Sequence, residues 1–124
     1  MRFMMLVKHA EPGVPPTKEL MDEMAKMGDE AVKAGTMVAS GGLAATAKST
    51  RVRLSRGQVT AIDGPSTEAK EVVGGFAIFE LQSKQEAIEA AMRFMEVHRK
   101  HCPGWEGETE VRQILAPEDF APKA

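Results

Sequence analysis

The segment Met1 to His9, MRFMMLVKH, sets Phe3, Met5 and Val7 on one side of a period-two repeat and Met4 and Leu6 on the other. The segment Phe76 to Leu81, FAIFEL, is apolar on both sides in the same way. Such segments read as strands buried on two faces, because a half-exposed strand alternates apolar with polar residues. A sheet built on them needs cover above and below. With 124 residues, the chain has material for a single domain, 1–124.

The rest of the pattern supplies cover for one face only. Glu11-Pro12-Gly13-Val14-Pro15-Pro16 forms a stiff loop. Thr17 is positioned as an N-cap, and Leu20, Met24, Met27, Ala31 and Ala34 recur at three- and four-residue intervals before Gly35. This spacing predicts a helix from Thr17 to Ala34. Thr36 to Ser40 reads as a short strand ended by Gly41-Gly42, and Leu43 to Thr50 as a loop. A hairpin follows, in which Val52 and Leu54 alternate with Arg51, Arg53 and Ser55. Arg56-Gly57 makes its turn and Val59 to Ile62 returns, with the arginine face solvated. Asp63-Gly64-Pro65 is a turn, and Gly74-Gly75 precedes the second two-sided strand.

Ser83 and Glu86 have capping-box spacing. Ala87, Ile88, Ala91, Met92 and Met95 then form a second helical stripe that ends near Lys100, ahead of Pro103. Glu110 to Leu115 is a last strand and Glu118 to Ala124 a tail. Without the hairpin the order is βαββαβ, the ferredoxin-like α+β pattern, with both helices on one face of an antiparallel sheet. A second copy of the sheet is the expected cover for the other face, giving a homodimer with sheets face to face.

Composition narrows the function. Sixteen Lys and Arg oppose eighteen Asp and Glu, a net charge of −2, which excludes nucleic-acid binding driven by net positive charge. No run of about 18 apolar residues is present, so no membrane helix is expected. The apolar stretch at the N-terminus is shorter than the roughly 7–15 residues of a secretory signal. The single cysteine, Cys102, forms no internal disulfide, and a reducing cytoplasm is the expected compartment. There is no P-loop, G-x-G-x-x-G, H-E-x-x-H or G-x-S-x-G motif, and no cofactor is expected.

Several residues are candidates for chemistry. Asp63, in a Gly-Pro turn after a strand, has two readings: a general base in a desolvated pocket, or an Asx-turn acceptor of a nearby backbone N–H. Glu68 and Lys70 precede a buried strand and either line a polar cleft, with Lys70 holding an anionic group, or form a solvated loop. Arg112 lies in the last strand, where it pairs with Asp63 or Glu68, binds a carboxylate substrate, or stands in solvent. His98, His101 and Cys102 share a helix face, but the chain has no second ligand cluster. Histidines at a helix C-terminus fit its dipole, so no metal is expected. The nine methionines suit adaptable core packing or a plastic apolar pocket, with Trp105 as a cap.

The stretch Ile62 to Phe76, IDGPSTEAKEVVGGF, resembles the signature of the DGPF subgroup of the YCII-related domain family. Asp63, Gly64, Pro65, Glu68, Lys70, Glu71 and Gly75 match it, and Ser66 replaces the family's usual phenylalanine. Ala34-Gly35, Gly41-Gly42-Leu43, the hairpin and Glu110-Val111-Arg112 extend the resemblance over nearly the whole chain. It implies a ferredoxin-like dimer of the α/β-barrel type. Some relatives use a His-Asp pair whose histidine lies near the first helix. Between Thr17 and Ala34 this chain has none, so of that pair only Asp63 carries over. The expectation is a small-molecule enzyme in which Asp63 is the acid/base for proton abstraction or elimination, with Glu68, Lys70 and Arg112 binding substrate. The alternative is a non-catalytic small-ligand-binding or protein-interaction module.

Overall fold

The computed structural model describes residues 1–120. In chain order these form β1 (Arg2–His9), α1 (Lys18–Lys33), β2 (Met37–Gly42), β3 (Thr50–Ser55), β4 (Gln58–Asp63), β5 (Val72–Glu80), α2 (Lys84–His101) and β6 (Gly107–Gln113). Short 3-10 turns occupy Thr46–Lys48 and Pro117–Phe120. The end of the predicted tail, 121–124, lies outside the described residues. Four strands form one sheet in the order β2-β5-β1-β6, and β3 and β4 form a separate hairpin. Every neighbouring pair is antiparallel. This α+β arrangement is compatible with the ferredoxin-like pattern.

The helices form where their caps allow. The Thr17 hydroxyl accepts from the Leu20 N–H at 3.1 Å and donates to the His101 carbonyl, so it also ties the start of α1 to the end of α2. Gly35, just beyond the α1 C-cap, takes φ 75°, the left-handed conformation that glycine adopts without a Cβ penalty. At α2, Ser83 Oγ accepts from the Glu86 N–H at 3.2 Å. Glu86 reaches back to the Gln82 N–H at 2.9 Å, one residue beyond the usual capping-box partner.

Three strands differ from the sequence reading, each because of glycine. The pair Gly74-Gly75 lies inside β5 instead of before it. Val7 pairs with Gly75 and Lys8 with Val73, which leaves Gly74 as the extra residue of a bulge. β2 continues through Gly41-Gly42, where the Phe76 ring lies across Gly41 and a Cβ there would sit 3.1 Å from it. β6 starts at Gly107, paired with His9, three residues earlier than Glu110. Glycine reads as a breaker in isolation, but in a sheet it marks places where something approaches the backbone closely.

Both helices cover the sheet face that carries Phe3 and Met5, and these two pack with Ala87 and Ala91 of α2 as the buried core. The opposite face holds a strip of half-buried apolar residues. Met4 lies opposite Ile78, and Leu6 opposite Phe76. Charges flank the strip: Arg2 pairs with Glu80 at 3.0 Å, Lys8 with Glu110 at 2.5 Å and Arg112 with Glu110 at 3.2 Å. The hairpin departs in part from expectation: Arg53 is exposed as expected, but other residues are not placed so. Arg51 is half-buried and donates to the Gly64 carbonyl, whereas Val52, Leu54 and Val59 are 73%, 72% and 68% exposed. Its turn has positive φ at both Arg56 and Gly57, the twist that suits a two-residue hairpin loop.

Gly28, in the interior of α1, has nothing within 4 Å of the place a Cβ would take. Gly28→Ala should therefore raise unfolding stability by about 0.5–1 kcal/mol, the helix-propensity difference. Urea denaturation checks this, and a loss of stability would contradict the open space assigned there.

Candidate functional site

A cavity of about 1120 Å³ separates the helices from the sheet. Its floor is low because the residues there are small: Gly74, Gly75 and Ala77 of β5 and Ser40 and Gly42 of β2. Its roof is the α1 stripe, in which Met24, Met27, Gly28 and Ala31 follow Leu20, together with Phe94 of α2. Side chains of this size and flexibility do not close the gap to the density of an ordinary core. Met5, Val7 and Phe79 complete an apolar interior. Glu30, Glu86, Glu89 and Arg93 also line it and are exposed to solvent.

One region of this wall is different. His9 at the end of β1, His98 in the last turn of α2 and Trp105 in the following loop form an aromatic group. The Trp105 ring centroid is 4.4 Å from that of His98 and 6.4 Å from that of His9. Phe94 meets His98 edge-on at 4.6 Å. Glycines make room for this group. A Cβ on Gly74 would fall 2.7 Å from His9 Cδ2 and closer still to Nε2, and a Cβ on Gly107 would fall 2.5 Å from Trp105 Cη2. A Cβ on Gly13 would lie 3.3 Å from His9 Nδ1.

The protonation of His98 follows from its surroundings. Only 5% of the residue is exposed. Its Nδ1 lies 2.8 Å from the Phe94 carbonyl oxygen, which has no proton to give, so Nδ1 carries the hydrogen and donates it. The neutral ring then holds its lone pair on Nε2. Burial pushes the His98 pKa below the ordinary histidine value, and the bond to Phe94 offsets only part of that shift. His98 is therefore a neutral acceptor near pH 7. His9 is half-buried and donates its Nδ1–H to the Ala10 carbonyl at 2.8 Å.

The residues singled out in the sequence lie elsewhere. Asp63, at the end of β4, is exposed, and its Oδ1 accepts from the hydroxyl of its cross-strand partner Thr50 at 2.8 Å. Glu68 and Lys70 are exposed in the loop before β5, where the Glu68 N–H donates to Ser66 Oγ at 3.3 Å. Arg112 is exposed on the sheet face opposite the helices and pairs with Glu110. The Lys8 ammonium, bonded to Glu110, holds that carboxyl below its usual range, with Arg112 adding a smaller effect. None of Asp63, Glu68, Lys70 and Arg112 lines the cavity. Among the described residues, no hydrogen bond or ion pair joins them to one another.

The H-x-x-H-C run also divides. His98 turns to Phe94, while Cys102 is buried with its thiol 3.6 Å from the Pro15 carbonyl. Among the described residues, no group of three or more His, Cys, Asp or Glu side chains is placed to hold a metal ion. The methionine-bordered pocket with Trp105 on its wall matches the pocket expected from the sequence, but His9 and His98 were not read as part of it because they are distant in the chain. The signal available was a glycine at each point of close approach, at 13, 74 and 107.

Comparison with known families agrees with the fold. The model of the YCII-related domain matches residues 1–115. No curated protein matches the chain.

The state of His98 has a consequence for stability. The unfolded chain protonates this histidine at its ordinary pKa, while the folded protein resists protonation. Between the two values the unfolded state binds more protons, so stability falls as pH drops. Urea unfolding from about pH 7.5 to about pH 5.5 should show this loss in the wild type and less of it in His98→Phe. An equal pH dependence in both would contradict a neutral His98.

Proposed function

The chain belongs to the YCII-related domain family, and we propose that it is a small-molecule-binding protein whose ligand occupies the cavity between helices and sheet. The observation that carries this reading is the cavity itself. It is apolar, bordered by flexible methionines, and holds two imidazoles and an indole in one part of its wall. Sites for small organic ligands combine a largely apolar wall with a few fixed polar groups in this way. The match of Asp63-Gly64-Pro65 with Glu68, Lys70 and Glu71 supports placement in the DGPF subgroup.

We propose further that the protein works as a homodimer in the cytoplasm. Support for the dimer comes from the strip of Met4, Leu6, Phe76 and Ile78, on the face away from both helices, bordered by charges already paired within the chain. A second copy laid on this face would cover the strip without stranding a charge. No helix among the described residues is long and apolar enough to cross a membrane.

A second reading places acid/base chemistry at Asp63, with Glu68, Lys70 and Arg112 binding substrate for proton abstraction or elimination. The Thr50 hydroxyl favours it, because it fixes one carboxylate oxygen at 2.8 Å. Asp63 is exposed and lies outside the cavity, so this reading depends on a second copy to enclose it.

Titration with N-phenyl-1-naphthylamine tests the first reading. Trp105 is the only tryptophan and there is no tyrosine, so intrinsic emission reports on the cavity wall directly. Saturable binding of one probe per chain with quenching of Trp105 is expected. Gly28→Phe should abolish it by filling the cavity, and Asp63→Asn should leave it intact. Loss of binding in Asp63→Asn with binding kept in Gly28→Phe would favour the second reading. Sedimentation equilibrium should give twice the 13.4 kDa chain mass, and Leu6→Lys should reduce it to one chain. A monomeric wild type would contradict the dimer.

A further inference from the structure

The chemistry of His98 restricts what the cavity accepts, given the reading that the cavity binds a ligand. Nδ1 is committed to the Phe94 carbonyl. Nε2 has no hydrogen-bond partner among the described residues. It is also not among the fully enclosed polar atoms left unpartnered, of which Thr109 Oγ1 is the one found there. Nε2 is therefore an acceptor that is not sealed off, on a residue that lines the cavity and is only 5% exposed. It has no proton of its own to offer.

An acceptor in an apolar site selects for a donor. A carboxylate or phosphate would meet the Nε2 lone pair with its own, and the Nδ1 hydrogen is already used. The solvent-facing lining adds to this, with Glu30, Glu86 and Glu89 against the single cation Arg93. An ammonium can donate, but it would lose its hydration in a space walled by Met24, Phe79 and Phe94. A neutral hydroxyl donates one hydrogen bond and carries no charge to desolvate. The rings of Trp105 and Phe94, each within 4.6 Å of the imidazole centroid, give an aromatic body faces to pack against.

We infer that the cavity takes a neutral, largely apolar molecule bearing a hydroxyl group, an aromatic alcohol or phenol in class, and that His98 Nε2 accepts the hydrogen bond from that hydroxyl. The same contact orients the ligand, with its oxygen at the His98–Trp105 wall and its apolar body under α1.

Three probes with one carbon skeleton separate the possibilities: 4-hydroxybiphenyl, 4-methoxybiphenyl and biphenyl-4-carboxylate, each titrated against the Trp105 emission at pH 7.5. The hydroxyl compound should bind about tenfold more tightly than the ether, the size of effect expected when a fixed buried acceptor is left unpaired. The carboxylate should bind most weakly. His98→Phe should abolish the preference for hydroxyl over ether while the ether still binds. His98→Gln, which keeps an acceptor, should retain part of the preference. If the variants fail to fold, the imidazole nitrogen spectrum of the wild type decides: Nε2 of His98 should shift with the hydroxyl compound and not with the ether. Ether and hydroxyl binding equally to the wild type would overturn the inference while leaving the cavity reading standing, as would tightest binding by the carboxylate. Failure of all three probes to bind would remove the cavity reading and this inference with it.

Discussion

Small residues on the helix-facing side of the sheet leave the gap between sheet and helices unfilled. Gly74, Gly75, Ala77, Ser40 and Gly42 present almost nothing to the helices above them, and α1 answers with methionine, alanine and Gly28. Where larger residues meet, at Phe3 and Met5 against Ala87 and Ala91, the layers close into an ordinary core. The chain thus divides one interface into a part packed against Ala87 and Ala91 of α2 and a hollow part bounded by α1, the other side of α2 and the sheet. A void of this size gives up dispersion contacts that a filled core would make. The neighbouring core and the caps at Thr17 and Ser83 keep both helices in place despite that loss.

The same economy of side chains sets the chemistry of the wall. Gly74 and Gly107 allow His9 and Trp105 to lie against backbone, and Trp105 in turn stacks near His98. Each histidine directs Nδ1 to a carbonyl, His98 to that of Phe94 and His9 to that of Ala10. For His98 the backbone alone fixes the neutral tautomer, and among the described residues no carboxylate bonds to that ring. This differs from a His-Asp arrangement, in which a carboxylate stabilises the protonated ring and favours proton transfer. The geometry suits recognition by a neutral acceptor.

Much of the fold was legible in the sequence because it rests on local rules. The α1 stripe from Leu20 to Ala31, the caps at Thr17 and Ser83 and the Arg56-Gly57 turn are all short-range signals, and the structure uses each of them. The strand limits at Gly41, Gly74 and Gly107 were not legible. Glycine carries the same letter whether it breaks a strand or clears space for a ring that arrives from another part of the chain. The candidate site was hidden for a similar reason. Asp63 stands out in the sequence beside Gly64 and Pro65, yet it turns outward to Thr50. His98 looked like one of two histidines at a helix end, and its burial against Trp105 distinguishes it from His101.

The two sheet faces assign different roles to the apolar residues of β1. Met5 looks into the hollow under α1, while Met4, next in sequence, lies on the strip bounded by the Arg2–Glu80 and Lys8–Glu110 pairs. Methionine methyl groups therefore sample each surface separately, with Met24 and Met27 over the cavity and the exposed Met92 outside it. Methyl NMR of methionine-labelled protein, saturated with N-phenyl-1-naphthylamine, is the most direct measurement of where a ligand sits. Shifts and ligand contacts are expected at Met5, Met24 and Met27, with Met4 and Met92 unmoved. Contacts at Met4 with none at Met24 would place the ligand on the opposite face of the sheet and rule out the cavity as its site.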